Sequence, residues 1–196
     1  VPRHEYAVAL KRAGELLELA AARRWTDDAA GALAAARPLL EQAVRSETED
    51  PWRPELILSR VELRTGHPER ALEILTVALR RSSRDFGGDR RNEARALRAV
   101  AALRAGSDQA RALTDAALKG DAEEAAANLG YLTHPDTVLV DAVLLAREGR
   151  FAEARARIDG CAKDVGAGRV ASPLVFTAED ARREVDALEA RGGERR

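Results

Sequence analysis

Apolar residues recur along the chain at three- and four-residue intervals, and no run alternates with the two-residue period of a strand. After Pro68 the apolar positions are Ala71, Ile74, Leu75, Ala78 and Leu79, a stripe along one face of a helix. After Gly149 the same face returns as Phe151, Ala154, Ile158, Cys161 and Ala162. Both stretches open on Arg-x-Gly, in "RTGHPERALEILTVAL" from Arg64 and "REGRFAEARARIDGCA" from Arg147. In each, an Ala follows the Gly by five residues and a second small residue (Ala78, Cys161) comes seven later. Sliding this frame along the chain matches Ala110 and Ala117 from an anchor at Ala105, and Ala29 and Ala36 from an anchor at Arg24. Self-similarity at a spacing of about 40 residues predicts stacked helical hairpins.

The residues between the stripes suit helix ends. Gly66 and Gly149 suit the left-handed position that closes a helix, and Pro68 and Pro135 suit a first helical position, where no N–H is needed. Thr26, Asp27 and Asp28 put capping and acidic groups at a helix start. Thr177-x-x-Asp180 has the form of a capping box with Asp in place of Glu, opening a last helix that runs toward Arg191. Pro38 falls inside a helical pattern and is expected to bend or break it near Arg37. Loops are expected at 47–52, 83–90, 131–135 and 166–176, between about nine or ten helices paired antiparallel. The expected fold class is all-α: a superhelix of about four stacked hairpins plus a C-terminal helix. It forms one domain over residues 1–192, with 193–196 as a fraying tail.

A Gly followed by small residues at these offsets, on paired helices, resembles the tetratricopeptide repeat family. Gly66/Ala71/Ala78 and Gly149/Ala154/Cys161 carry the match, supported by Leu58, Ser59 and Leu75 and by Ala142, Leu145, Phe151 and Ile158. The resemblance covers roughly residues 4 to 165, with a period longer than the family's usual ~34. Glu55 and Val138 stand where the family places an aromatic residue early in the first helix. The resemblance implies a solenoid whose concave face binds a peptide or a partner domain, lined by the first helix of each hairpin. Carried onto this chain it assigns that groove Arg53, Leu56, Arg60 and Arg64, then Asn92 and Arg95, then Leu139, Val143 and Arg147. An Arg-rich lining with scattered aliphatics suits an acidic or C-terminal peptide, because guanidinium pairs bidentately with carboxylate. The same pattern also fits a solvated helix face whose Arg stems cover apolar neighbours. The Lys/Asn clamp of the family's chaperone-tail binders is absent, since Gly14, Glu18, Leu56 and Arg60 occupy its places.

Composition narrows the function classes. At 196 residues, 45% hydrophobic and 33% charged, the chain is long enough for a folded domain with its own core. Of 32 basic residues only Lys11, Lys119 and Lys163 are Lys, and the formal charge of −1 lacks the basic excess of a nucleic-acid-binding domain. No apolar run reaches the ~20 residues of a membrane span, and a cytoplasmic location is expected. The chain starts Val-Pro-Arg and contains no Met, which reads as a processed product or a piece of a longer protein.

Candidate chemistry is thin. His67 and His134 stand in "GHPE" and "THPD", each before a Pro at a helix start, and no His-x-x-x-His pair accompanies them or His4. Cys161, the one cysteine, fills a small-residue slot and reads as a buried thiol. No phosphate-binding Gly-rich loop occurs. Arg80, Arg81, Arg84, Arg90 and Arg91 form a local basic cluster, suited to an acidic partner or to offsetting helix dipoles. Trp25 and Trp52 read as packing anchors, and any exposed pair among Tyr6, Tyr131, Phe86 and Phe176 would mark an interface. No metal, cofactor or catalytic set is implied. The expected function is therefore a non-enzymatic interaction scaffold for a protein or peptide partner, acidic by preference, with a homo-oligomer left open. The alternative is the effector-sensing domain of a larger bacterial regulator, and a third is a helical accessory domain of an enzyme.

Overall fold

The structure is a computed structural model that describes residues 27–45, 52–81, 88–128, 133–169 and 175–193, with residues 8, 11 and 15 also helical. Within the helices, the side chains at 27–30, 32, 43, 45, 52, 53, 81, 88, 89 and 193 lie outside that description. The described residues form eight α-helices and no strand. They are α1 (Asp27–Arg45), α2 (Trp52–Arg64), α3 (Pro68–Arg81), α4 (Gly88–Arg104), α5 (Ala110–Ala127), α6 (Pro135–Arg147), α7 (Phe151–Gly166) and α8 (Ala178–Gly193). The chain divides into two compact units, Val1–Asp85 and Phe86–Arg196.

In the first unit α2 packs on α1 and on α3. Leu33, Ala36 and Leu40 of α1 meet Leu58 and Val61 of α2, with Val44, Ile57 and Ile74 at the margin. Helix α1 runs unbroken past Pro38, so of the expected bend or break the break does not occur. Pro38 and Ala34, whose carbonyl loses its N–H partner to the proline, are both exposed, so water can satisfy that group. Leu33, Ala36 and Leu40 hold the other face in the core.

Glu62 of α2 is the polar centre of this unit, its side chain wholly buried. Arg37 Nε of α1 lies 2.9 Å from Glu62 Oε1, and His67 Nδ1 lies 3.5 Å from Oε2. Arg70 of α3 reaches Glu62 at 3.8 Å and pairs with Glu41 of α1 at 2.8 Å. Arg37 Nη2 also donates to Thr65 Oγ1 at 2.7 Å. One buried carboxylate thus ties three helices together.

In the second unit α4 packs with α5, α6 with α7, and α6 also touches α4, α5 and α8. Helix α8 rests on both α6 and α7. Helix α6 is buried nearly all round, through Leu139, Val140, Val143 and Leu144, and a mostly apolar helix of that kind belongs in the interior. Helix α4 buries Ala94, Leu97, Val100 and Leu103 and carries Arg91, Arg95 and Arg98 on a half-buried face.

Helices α2, α4 and α6 end in the same way. Gly66, Gly106 and Gly149 have φ of 80°, 65° and 81°, the left-handed conformation that L side chains resist. The residue after each glycine donates its N–H back to the last turn of the helix: His67 to Glu62 O at 2.8 Å, Ser107 to Ala102 O at 2.9 Å and Arg150 to Leu145 O at 2.9 Å. The turned glycine here is Gly106, one residue after the expected anchor Ala105, so Ala110 and Ala117 follow it by four and eleven residues, and Arg104-Ala105-Gly106 is a third Arg-x-Gly. The small residues of the frame are buried: Ala71, Ala78, Ala110, Ala117, Ala154 and Cys161 all have relative exposure of 7% or less. The Thr177 box forms as read. Asp180 Oδ2 accepts from Thr177 N–H at 2.9 Å, and Asp180 N–H donates back to Thr177 Oγ1 at 3.2 Å.

Candidate functional site

The last residues of α4 and α6, Arg104 and Arg147, stand just before the turned glycines of their Arg-x-Gly triplets. Both line one cleft of about 570 Å³ in the second unit, completed by Asp180, Arg183, Glu184, Ala187, Leu188 and Arg191 of α8. The α8 residues recur at three- and four-residue intervals, which places them on one face of that helix. Four other residues of α8 turn inward or toward α7, and a fifth, Arg182, pairs with it. Ala181 and Val185 are buried. Asp186 and Glu189 pair with Arg155 of α7, and Arg182 donates to Asp159 at 2.8 Å. Helix α8 is thereby held by α7 while its charged stripe faces the cleft.

Position is set from behind the cleft. Asp136, fully buried at the start of α6, accepts the N–H groups of both Val175 and Phe176 through Oδ1, each at 2.8 Å. That fixes Phe176, whose buried ring lies under the Arg104 guanidinium at 5.5 Å from its centroid. On α8, Arg183 Nη2 donates to Asp180 Oδ1 at 3.1 Å. Glu184 is half-buried; burial pushes its carboxyl above the usual range, while Arg104 and Arg147 pull it back and Asp180 adds to the rise.

Of the groove residues expected from sequence, Arg147 alone lines this cleft. Leu139 and Val143 are buried in the core, because α6 is wrapped by α4, α5, α7 and α8 and has no open face before its last residue. Leu56 is buried as well, at 6% exposure. Asn92 and Arg95 are engaged between α4 and α5: Asn92 Nδ2 donates to Gly120 O at 3.0 Å, and Arg95 Nη1 to Asn92 Oδ1 at 2.9 Å. The burial of Leu56, Asn92, Leu139 and Val143 corrects their assignment to an open groove. Arg60 and Arg64 are half-buried residues of the first unit, and the Arg53 side chain lies outside the described residues. So do His4, Tyr6, Trp25, Phe86, Tyr131 and the Trp52 side chain.

Sequence reading missed Arg104, Arg183, Glu184 and Arg191. Arg104 was legible in the third Arg-x-Gly, and the α8 residues in their helical spacing beyond the Thr177 box.

A second ionic cluster joins α5, α6 and α7. Buried Asp141 lies 2.5 Å from both Arg111 Nη1 and Arg157 Nη1, and Arg111 continues to Glu148 at 2.6 Å. The cluster reads as a staple between helices, since its one buried carboxylate is already held by two arginines. Cys161 is buried, its thiol 3.9 Å from Pro135 O, and burial, with Asp136 and Asp164 nearby, pushes its pKa up to about 11. Among the described residues no group of His, Cys, Asp and Glu could hold a metal ion, and no helix is long and apolar enough to cross a membrane.

Comparison with protein-family models, with characterised proteins and with solved structures finds no match to this chain.

Proposed function

We propose that this chain is a non-enzymatic interaction scaffold of the tetratricopeptide-like solenoid kind, whose partner docks in the arginine-lined cleft of the second unit. The observation that carries this reading is that α4, α6 and α8 each contribute to one cleft through exposed charged side chains. Neighbour-to-neighbour packing of α4 on α6 and of α6 on α8 supports successive first helices of a hairpin array, whose shared side is where such arrays bind. Selection of displayed peptides against the intact chain, repeated with Arg147→Glu, tests it. An enriched sequence family lost in the variant is the expected result; no enrichment, or enrichment indifferent to the substitution, overturns it.

The size of the cleft favours one second reading, the effector-sensing domain of a larger bacterial regulator, because about 570 Å³ is within the range of small-ligand sites. A small molecule released on denaturing the chain purified from its host, and identified by mass spectrometry, would select that reading.

A further inference from the structure

The charges of the cleft also select a kind of partner, and that selection rests on the docking role proposed for the cleft. Four arginines, Arg104, Arg147, Arg183 and Arg191, share the lining with two carboxylates, Asp180 and Glu184. The two acids differ in their commitments. Asp180 caps α8 through Thr177 N–H and Oγ1 and also receives Arg183, so its charge belongs to the helix start. Glu184 lies one turn further on, half-buried, and lines the same cleft as Arg104 from α4 and Arg147 from α6. Arg104 is braced on Phe176, whose backbone Asp136 fixes, so one of the two cations is already oriented before any ligand arrives. A carboxylate entering the cleft is drawn to the same two guanidiniums, and Ala187 and Leu188 beside them offer apolar contact for its stem.

We propose that the cleft takes an acidic peptide segment of a partner protein, and that Glu184 is the resident counter-charge with which this segment competes. Charge complementarity selects the occupant: the lining keeps two positive charges in excess after its own acids are counted, which a segment bearing two or more carboxylates matches. Glu184 then works as a threshold. With it in place, weakly acidic segments gain little over the attraction Glu184 already exerts on the two arginines; strongly acidic ones out-compete it.

Fluorescence anisotropy with a labelled hepta-glutamate peptide, and a hepta-glutamine peptide as control, tests this on the full chain and on Glu184→Gln and Arg147→Gln. Circular dichroism melts establish that each variant is folded. The glutamate peptide is expected to bind and the glutamine peptide not. Glu184→Gln should tighten binding roughly two- to fivefold and Arg147→Gln weaken it by a similar factor, the size of a partly exposed charge pair. Unchanged or weaker binding by Glu184→Gln overturns the competition. Equal binding of both peptides, no binding of either, or tighter binding of an oligonucleotide of equal charge overturns the acidic-peptide assignment. A non-acidic sequence family selected by display and lost in Arg147→Glu would leave the docking site standing while this inference falls.

Discussion

The guanidinium of Arg104 lies over the ring of Phe176, 5.5 Å from its centroid, although the arginine is exposed and the phenylalanine is fully buried. The pair joins the core of the second unit to the lining of its cleft. Phe176→Ala should cost about 3–5 kcal/mol by emptying a filled site, read from urea unfolding. Phe176→Leu should cost less while still releasing Arg104. If both variants unfold at the wild-type urea concentration, Phe176 is not a core anchor.

Gly120 sits inside α5, where Ala would ordinarily be favoured by up to about 1 kcal/mol. A Cβ there would stand 2.7 Å from Asn92 Oδ1 and 2.2 Å from Arg95 Nη1. Arg95 can swing away, but Asn92 is buried and bonded to the carbonyl of Gly120 itself. Gly120→Ala should therefore lower the melting temperature despite its helix propensity, and Asn92→Ala should remove most of the penalty when combined with it. A stabilised single variant would refute the close approach of α4 and α5.

Glu62 shows the asymmetry of buried charge. Arg37→Met leaves the carboxylate in the interior with a weakened set of partners and should cost about 3–5 kcal/mol. Replacing both together, as Arg37→Met with Glu62→Leu, should recover much of that loss. Chemical denaturation of the two variants decides it: equal stability of single and double variants would mean Glu62 does not depend on Arg37.

Cys161 should be inert while the chain is folded. Its pKa of about 11 leaves little thiolate at neutral pH, and its side chain is buried. Alkylation by iodoacetamide at pH 7.5 should proceed at a rate set by opening of the structure and accelerate strongly in denaturant. Rapid labelling of the native chain would contradict the packing of α7 against the start of α6.

Stability should respond to acid in two opposed ways. Glu148, Glu153 and Glu189 are held below the ordinary glutamate value of 4.5, chiefly by hydrogen bonds from Arg111, Arg150 and Arg155 respectively. Their contribution is present above that value and is lost as the pH falls below it. Glu184 has the opposite sign: it is raised by burial, so the unfolded chain loses its proton first and stability declines as the pH climbs from 4.5 through the raised value. Glu184→Gln should remove that decline, and the triple Gln variant of the other three should flatten the acid limb. Melting temperatures across pH 3 to 7 separate the two effects.

The helices, their ends and the small buried residues were legible because each depends on local chemistry. Gly66 and Gly149 announce a backbone that other residues avoid, Pro68 and Pro135 a first turn, and Thr177 with Asp180 a cap. The site was far less legible. Leu139, Val143 and Asn92 sit on the helices expected to line a groove, yet whether such a helix shows an open face depends on how many neighbours wrap it, which no single helix pattern reveals. Arg104 and Glu184 meet from α4 and α8, and their positions 80 residues apart in sequence carry no local mark of the meeting. Pro38 does not break α1 for a related reason: it and Ala34 lie on the exposed face, where water can meet the carbonyl that loses its partner.

The bonds that close α2, α4 and α6 each span only a few residues, as from Arg150 N–H back to Leu145 O. No distant segment has to arrive before the chain reverses direction. Each reversal can form while the rest of the polypeptide is still fluctuating, and neighbouring helices then meet across short separations, the topology associated with rapid folding. The recurring triplet is thus a kinetic instruction as much as a geometric one: it lets the chain turn first and find its packing afterwards.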